Sequence, residues 1–138
     1  MAPQPRFRKL TPVLVVEAIE PVLPFWSALG FGRTVELPGD DGRLGFVILA
    51  REGIELMYQT LASVQADEPA VAERVGDGSA ALFIEVADLG AVQRLLPADC
   101  ERLVAERTTF YGARETIVRE PGGHVVTFAE FGGPHAGE

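Results

Sequence analysis

The alternation of apolar and polar positions indicates that one structural pattern occurs twice along the chain. Residues 10–16 form an apolar, β-branched run typical of a strand buried on both faces, and a helix and three further strands follow by residue 59. Residues 80–131 repeat the order of strand, helix and three strands. A repeat of this kind predicts a duplicated βαβββ module.

The first module has clear helix and turn signals. Its helix is expected to begin near Ile19 or Glu20, because Pro21 fits a first helical turn, and to end at Gly30. Its later strands are predicted at residues 31–37, 44–50 and 54–59, separated by turns at residues 38–42 and 51–53.

The second module follows the same plan. Its first strand ends at Val86, and Asp88 is a credible N-cap for a helix that ends at Leu96. The remaining strands are predicted around residues 103–107, 114–119 and 125–131. We expect one domain, with module one at residues 8–60, a linker at 61–79, module two at 80–131 and a flexible tail at 132–138. The linker is expected to hold a helical turn in its first half and to be interrupted at residues 76–78.

The composition excludes several classes of function. The 138 residues carry a formal net charge of −8, which argues against a nucleic-acid partner, because such partners require basic surface. No apolar stretch approaches the roughly 20 residues of a membrane helix, and the first nine residues lack the apolar core of a secretion signal. Cys100 is the one cysteine, so no internal disulfide can form and a cytoplasmic location is expected. The acidic charge is compatible with a cationic ligand and also with simple solubility.

Two short motifs carry a resemblance to a known superfamily. Phe25-Trp26 followed by Leu29-Gly30-Phe31 is similar to a helix-end signature, and Arg-Glu-Pro-Gly-Gly-His at residues 119–124 is similar to a late turn that is commonly Asp-Pro-Asp-Gly-Asn. In this order they resemble the glyoxalase, bleomycin-resistance and extradiol-dioxygenase superfamily, also called vicinal oxygen chelate proteins, over residues 10–131. The resemblance implies an α+β fold in which both βαβββ modules form a curved, U-shaped mixed sheet with helices on its outer face. It also implies a homodimer with ligand cavities at or near the subunit interface.

The same resemblance places four metal-ligand positions at Thr11, Glu55, Ala81 and Thr127. Glu55 is the one residue of the four that matches a divalent-metal ligand. A metal centre requires three or four converging N, O or S ligands, so we predict no metal site and no other cofactor. The function implied is that of the metal-free, bleomycin-resistance-like branch, which sequesters a planar cationic antibiotic in an acidic, aromatic cleft without changing it.

The segment after Tyr111 strengthens the resemblance to this branch. Ala113-Arg114-Glu115 is similar to its Gly-Arg-Glu segment, which follows a ligand-stacking aromatic residue, and Tyr111 is the candidate for that aromatic. We therefore predict a small-molecule site in which Glu55 meets a cation and other side chains give apolar and stacking surface. These other side chains are Phe46, Met57, Phe83, Phe110, Tyr111 and Thr127.

Several of these residues could instead have a purely structural role. Glu55 could form a salt bridge with an arginine such as Arg114, and the aromatic side chains could belong to the core. Glu85 has inward parity and could supply a second carboxylate or a strand-end charge in water. We attribute His124 to a left-handed backbone conformation in its turn and assign Trp26 to the helix–sheet core.

Two further functions are compatible with the sequence. The first is a glyoxalase-like lyase, isomerase or dioxygenase that uses Glu55 as a metal ligand, or as a general base whose pKa is raised by an apolar cavity. The second is a dimeric scaffold whose hollow is filled by its own side chains. Loss of turnover in Glu55→Gln would favour the first, and a structure without an accessible cavity would favour the second.

Overall fold

The first module is a four-stranded mixed sheet with one short helix. The computed structural model describes residues 4–75 and 78–132. The strands β1 (Val13–Val16), β2 (Gly32–Pro38), β3 (Leu44–Arg51) and β4 (Ile54–Thr60) lie in the order β1-β4-β3-β2, with β1 parallel to β4. A 3-10 turn (Glu20–Val22) leads into α1 (Leu23–Ala28). The predicted stop is confirmed, since Gly30 follows the helix with a φ of 88°.

The linker between the modules is more helical than predicted. It contains α2 (Leu61–Asp67) and α3 (Pro69–Val75), where the sequence indicated a single helical turn. Thr60 supports α2 as its N-cap, because its side chain accepts the Ser63 N–H at 3.1 Å. Residues 76 and 77 of the predicted break at 76–78, and residues 133–138 of the predicted tail at 132–138, lie outside the described residues. Among the described residues, no helix combines the length and apolarity needed to cross a membrane.

The second module repeats the first, and the predicted α+β fold of two βαβββ modules is confirmed. Its elements are β5 (Ala81–Glu85), α4 (Leu89–Leu95), β6 (Glu101–Thr108), β7 (Ala113–Arg119) and β8 (Val125–Phe131). The strand order is β5-β8-β7-β6, with β5 parallel to β8. Asp88 is the N-cap of α4, as predicted, and accepts the Ala91 N–H at 3.1 Å.

Both sheets bury one face, which we call the outer face, in a core shared with the helices. On β4, Leu56 and Tyr58 lie in this core together with Trp26 of α1, so the core assignment of Trp26 is confirmed. Glu55 and Met57 alternate with them and lie on the opposite face, which we call the inner face. The alternation therefore separates core residues from the candidate site residues of this strand.

The prediction that the first strand is buried on both faces is wrong. Leu14 and Val16 are buried in the core, but Val13 is 48% exposed and Val15 is half-buried. The reason is that the inner face of β1 has no covering layer within the described part of the chain. An uninterrupted apolar run therefore does not distinguish a strand buried on both faces from a strand whose second apolar face is exposed to solvent.

A buried chain of hydrogen bonds joins the two modules. Trp26 Nε1 donates to the Tyr58 hydroxyl at 2.8 Å, and that hydroxyl donates to the carboxylate of Glu120, in the turn between β7 and β8. The other Glu120 oxygen accepts the His124 backbone N–H at 2.7 Å. Burial, together with the nearby Glu120 charge, raises the pKa of Tyr58, so its hydroxyl remains a donor. Both oxygens of a costly buried carboxylate are thereby satisfied.

The His124 ring makes a second link between the modules. Its Nδ1 accepts the Ala80 backbone N–H at 2.7 Å, and its Nε2 lies 2.9 Å from the carbonyl oxygen of Val15, to which it donates. The attribution of His124 to a left-handed backbone is wrong, because the positive φ of this turn, 98°, belongs to Gly123. His124 instead ties β1 to the start of β5.

Gly122 lets the turn between β7 and β8 approach the first module closely. A Cβ atom at this position would lie 2.7 Å from Val16 Cγ1 and 2.9 Å from Val22 Cγ1. Both valines are buried and β-branched, so their side chains have little freedom to move away. The contact between the modules therefore requires a residue without a side chain here.

We expect Gly122→Ala to destabilise the fold by about 1–3 kcal/mol, because the added methyl group overpacks this contact. Urea unfolding followed by Trp26 fluorescence measures the change in unfolding free energy. Gly32→Ala is the matched control, since a Cβ atom at Gly32 meets no atom within 4 Å. Equal unfolding free energies for Gly122→Ala and the wild type would contradict the requirement for glycine.

Candidate functional site

Four aromatic side chains form a continuous row on the inner face of the second module, which we call the aromatic ladder (Phe83, Phe131, Tyr111 and Phe110). Phe83 lies on β5, Phe131 ends β8, and the other two lie in the turn between β6 and β7. Successive ring centroids are 6.0, 5.9 and 5.1 Å apart. Phe83, Tyr111 and Phe131 are 54%, 45% and 40% exposed. A contiguous apolar surface left open to water marks a candidate interaction site.

The register of the second sheet explains how the ladder is assembled. Ala129 of β8 stands between Glu85 of β5 and Glu115 of β7 in one cross-strand row. Phe83 and Phe131 stand on either side of this row, and the small Ala129 side chain leaves room for their rings to approach each other. Ala129 itself is fully buried.

Glu115 lies next to the ladder and is held by two partners. Its Oε2 accepts the Tyr111 hydroxyl at 2.5 Å, and its Oε1 lies 2.9 Å from Arg107 Nε and 2.8 Å from Arg107 Nη2. The hydrogen bond from Tyr111, followed by that from Arg107, lowers the pKa of Glu115 in spite of its desolvation. The same carboxylate raises the pKa of Tyr111. At neutral pH the group is an ionised carboxylate with a neutral phenol and a guanidinium.

Glu55 lies on the inner face of the first module and already has partners. Its Oε1 lies 2.7 Å from Lys9 Nζ and accepts the Thr11 hydroxyl at 3.2 Å. The hydrogen bond from Lys9 lowers the pKa of Glu55, so the expectation that an apolar cavity raises this pKa is wrong. Arg114 was the wrong partner as well. Its guanidinium lies 3.1 Å from Glu106 and 3.9 Å from Glu130.

The four positions that the resemblance assigns to metal ligands do not form a metal-binding group. Thr11 and Glu55 meet, but Ala81 has no ligand atom, and Thr127 pairs across the strands with Phe83 and Ile117. Within residues 4–75 and 78–132, no three His, Cys, Asp or Glu side chains come together as they would around a metal ion.

The predicted site residues fall into two groups, one on each sheet. Phe83, Phe110 and Tyr111 meet in the ladder, and Thr127 lies beside Phe83 in the sheet register. Glu55, Met57 and Phe46 lie on β3 and β4 of the first module. In the described part of the chain, no ion pair, hydrogen bond or ring contact joins the two groups.

The candidate site is an open face. Cavities of about 210 to about 390 Å³ occur in the described part of the chain, and none of these is lined by a ladder residue, by Glu55, Met57, Phe46 or by Thr127. Glu85 lines the cavity of about 260 Å³. A ligand on the ladder of a single chain would therefore keep one side in water.

Sequence reasoning missed three residues of this region. Phe131 ends the last strand and completes the ladder, Arg107 neutralises Glu115, and Lys9 neutralises Glu55. For Phe131 a signal existed, because it shares the strand parity of Thr127. For Lys9 and Arg107 no local pattern indicates the partner, since each ion pair joins distant or irregularly paired residues.

Solved structures of other proteins share this fold. A glyoxalase/bleomycin resistance protein/dioxygenase from Nocardioides has a TM-score of 0.71 and 17% identity, over 98% of this chain and 91% of that chain. A bleomycin-binding protein complexed with bleomycin has a TM-score of 0.62 and 16% identity, over 90% and 98% of the respective chains. A bleomycin resistance determinant encoded on the transposon Tn5 has a TM-score of 0.65 and 16% identity, over 91% and 99%. At these identities the likeness shows the fold alone.

No curated protein sequence matches the chain. The family model described as Glyoxalase/Bleomycin resistance protein/Dioxygenase superfamily matches residues 10–128. The matched segment begins before β1 and extends into β8, so it includes both modules and confirms the resemblance found in the motifs. The chain belongs to the glyoxalase/bleomycin resistance protein/dioxygenase superfamily.

Proposed function

We propose that this protein binds a planar, cationic small molecule on the aromatic ladder and sequesters it unchanged, as a metal-free binding protein of the bleomycin-resistance type. The observation that carries the proposal is the exposed row of four rings on the inner face. Such a row offers ring faces and edges for stacking and for cation–π contacts. The bleomycin-binding protein complexed with bleomycin has the same fold and supports a small-molecule ligand.

The cationic part of the ligand requires a carboxylate close to the ladder. Glu85 stands in the cross-strand row beside Phe83 and Phe131, is exposed, and makes no ion pair with another described residue. Glu55 is the other candidate, but a ligand would have to compete with Lys9 for it. Glu85 therefore offers charge complementarity at a lower cost.

We further propose that the protein acts as a homodimer in the cytoplasm and confers drug tolerance. The open inner face supports a second subunit, which would cover the exposed side of a ligand on the ladder and also the exposed Val13. The single cysteine is consistent with a reducing compartment. The net charge of −8 would attract a cation over a longer range.

An enzymatic role for Glu55 receives less support. A general base for use near neutral pH benefits from a raised pKa, whereas the Lys9 contact lowers the pKa of Glu55. The Thr11 hydroxyl adds a further hydrogen bond to the same oxygen. We therefore propose binding rather than turnover as the activity of the inner face.

Isothermal titration with bleomycin and with proflavine, a planar aromatic cation, tests the proposal. We expect the wild type to bind and Phe131→Ala to bind about 3- to 10-fold more weakly, because the substitution removes the central ring contact of the ladder. Leu37→Ala is the control, since Leu37 is an exposed apolar residue on β2 of the other sheet. Absence of heat for both compounds with the folded wild type, or equal affinities for Phe131→Ala and Leu37→Ala, would count against the ladder as the binding surface.

A pair of charge-neutral variants locates the carboxylate that meets the cation. We expect Glu85→Gln to weaken proflavine binding about 3- to 10-fold, and Glu55→Gln to change it less than about twofold, because Glu55 is already paired with Lys9. Titrations at two salt concentrations check the assignment, since the effect of Glu85→Gln should shrink as salt screens the charge. A larger loss in Glu55→Gln would place the cation on the first module instead.

A further inference from the structure

Glu115 is deeply buried although it lies beneath an open surface. It is 1% exposed, whereas the Tyr111 ring that donates to it is 45% exposed. Its two oxygens are divided between two partners, with Oε2 bonded to the Tyr111 hydroxyl and Oε1 to the Arg107 guanidinium. A carboxylate with both oxygens engaged in charge-assisted hydrogen bonds is a fixed point in the structure.

An irregularity in β6 brings Arg107 to this carboxylate. Val104 pairs with Ile117, but Arg107 pairs with Glu115, so three steps along β6 match two steps along β7. This is a β-bulge, and the extra residue reverses the faces of the side chains that follow it. Without it, Glu106 would stand opposite Glu115 and two like charges would meet. With it, Glu106 pairs with Arg114, and Arg107 is free to neutralise Glu115.

We propose that Glu115 is a positioning residue of the ligand surface: with Arg107 as its counterion, it fixes the Tyr111 ring within the aromatic ladder. The inference rests on the proposed function, because it takes the ladder as the surface that a ligand contacts. Tyr111 lies in a turn, where a side chain would otherwise sample several rotamers. Anchoring its hydroxyl sets the ring 5.9 Å from Phe131 and 5.1 Å from Phe110 before any ligand arrives. The conformational entropy of the Tyr111 side chain is then lost on folding rather than on ligand binding.

The same contacts give Glu115 a supporting role and keep it from meeting the ligand's cation. Both of its oxygens are occupied, and its charge is balanced by Arg107. A cationic group that stacks on the ladder would gain from the ring faces and from another carboxylate. Loss of the Glu115 charge should therefore act on binding through Tyr111.

Alkaline titration of tyrosinate absorbance tests the geometry without any ligand. The chain has two tyrosines, and the pKa of each is raised, that of Tyr58 chiefly by burial and that of Tyr111 chiefly by its bond to Glu115. In Glu115→Gln we expect one of the two tyrosines to ionise closer to the ordinary value of about 10. Glu106→Gln, a neighbouring exposed carboxylate paired with Arg114, should leave both tyrosines as in the wild type. An unchanged titration in folded Glu115→Gln would overturn the proposal.

Proflavine titration of the same variants tests the positioning role. We expect Glu115→Gln and Tyr111→Phe to bind about tenfold more weakly than the wild type, mainly through faster dissociation, and Glu106→Gln to bind normally. Tyr111→Phe keeps the ring and removes the anchored hydroxyl, so it tests whether the hydrogen bond to Glu115 contributes to affinity even if Glu115→Gln does not fold. Wild-type affinity in Tyr111→Phe or in folded Glu115→Gln would overturn the proposal. If the wild type itself binds neither proflavine nor bleomycin, the proposed function fails, and the tyrosine titration alone supports or overturns the anchoring of Tyr111.

Discussion

The buried carboxylate of Glu120 is the constraint on which the arrangement of the two modules depends. It lies in a turn of the second module, yet one of its two hydrogen-bond donors, Tyr58, belongs to the first. If the modules separated, the carboxylate would lose that partner while still largely desolvated, which is costly. The close approach at Gly122 and the His124 link to Val15 depend on the same docking. The core is therefore held together by a buried hydrogen-bond network in addition to its apolar contacts.

The same type of hydrogen bond, from a tyrosine to a glutamate, occurs in two different settings in the chain. Each of its two tyrosines donates to a buried glutamate, Tyr58 to Glu120 in the core and Tyr111 to Glu115 beneath the inner face. In the core, the ring is fully buried and the bond joins two modules. On the inner face, one side of the ring stays open to water, so the bond fixes an exposed surface. The second arrangement combines a rigid support with an accessible aromatic ring, which is what a stacking site requires.

Much of the fold follows from local sequence signals, and less of the site does. Gly30 and Asp88 delimit helices through backbone geometry and capping, which act within a few residues. The two-residue period of β4 places Glu55 and Met57 on one face of the strand and Leu56 and Tyr58 on the other. The partners of the carboxylates could not be predicted, because Lys9 meets Glu55 through the parallel pairing of β1 and β4, and Arg107 meets Glu115 across a bulge. A bulge breaks the two-residue period from which parity is derived.

The bulge in β6 also bears on how the binding preference of this surface could evolve. An edge strand tolerates insertions and deletions better than a central one, because it is paired on one side and its other side faces solvent. Insertion of a single residue between Val104 and Glu106, with the bulge unchanged, would turn Glu106 toward Glu115 and Arg107 away from it. The inner face would then gain a repulsive pair of carboxylates in place of an ion pair, with no substitution in any residue of the ladder. A change in the length of the edge strand β6 can thus alter the charge of the inner face without any change in the aromatic residues.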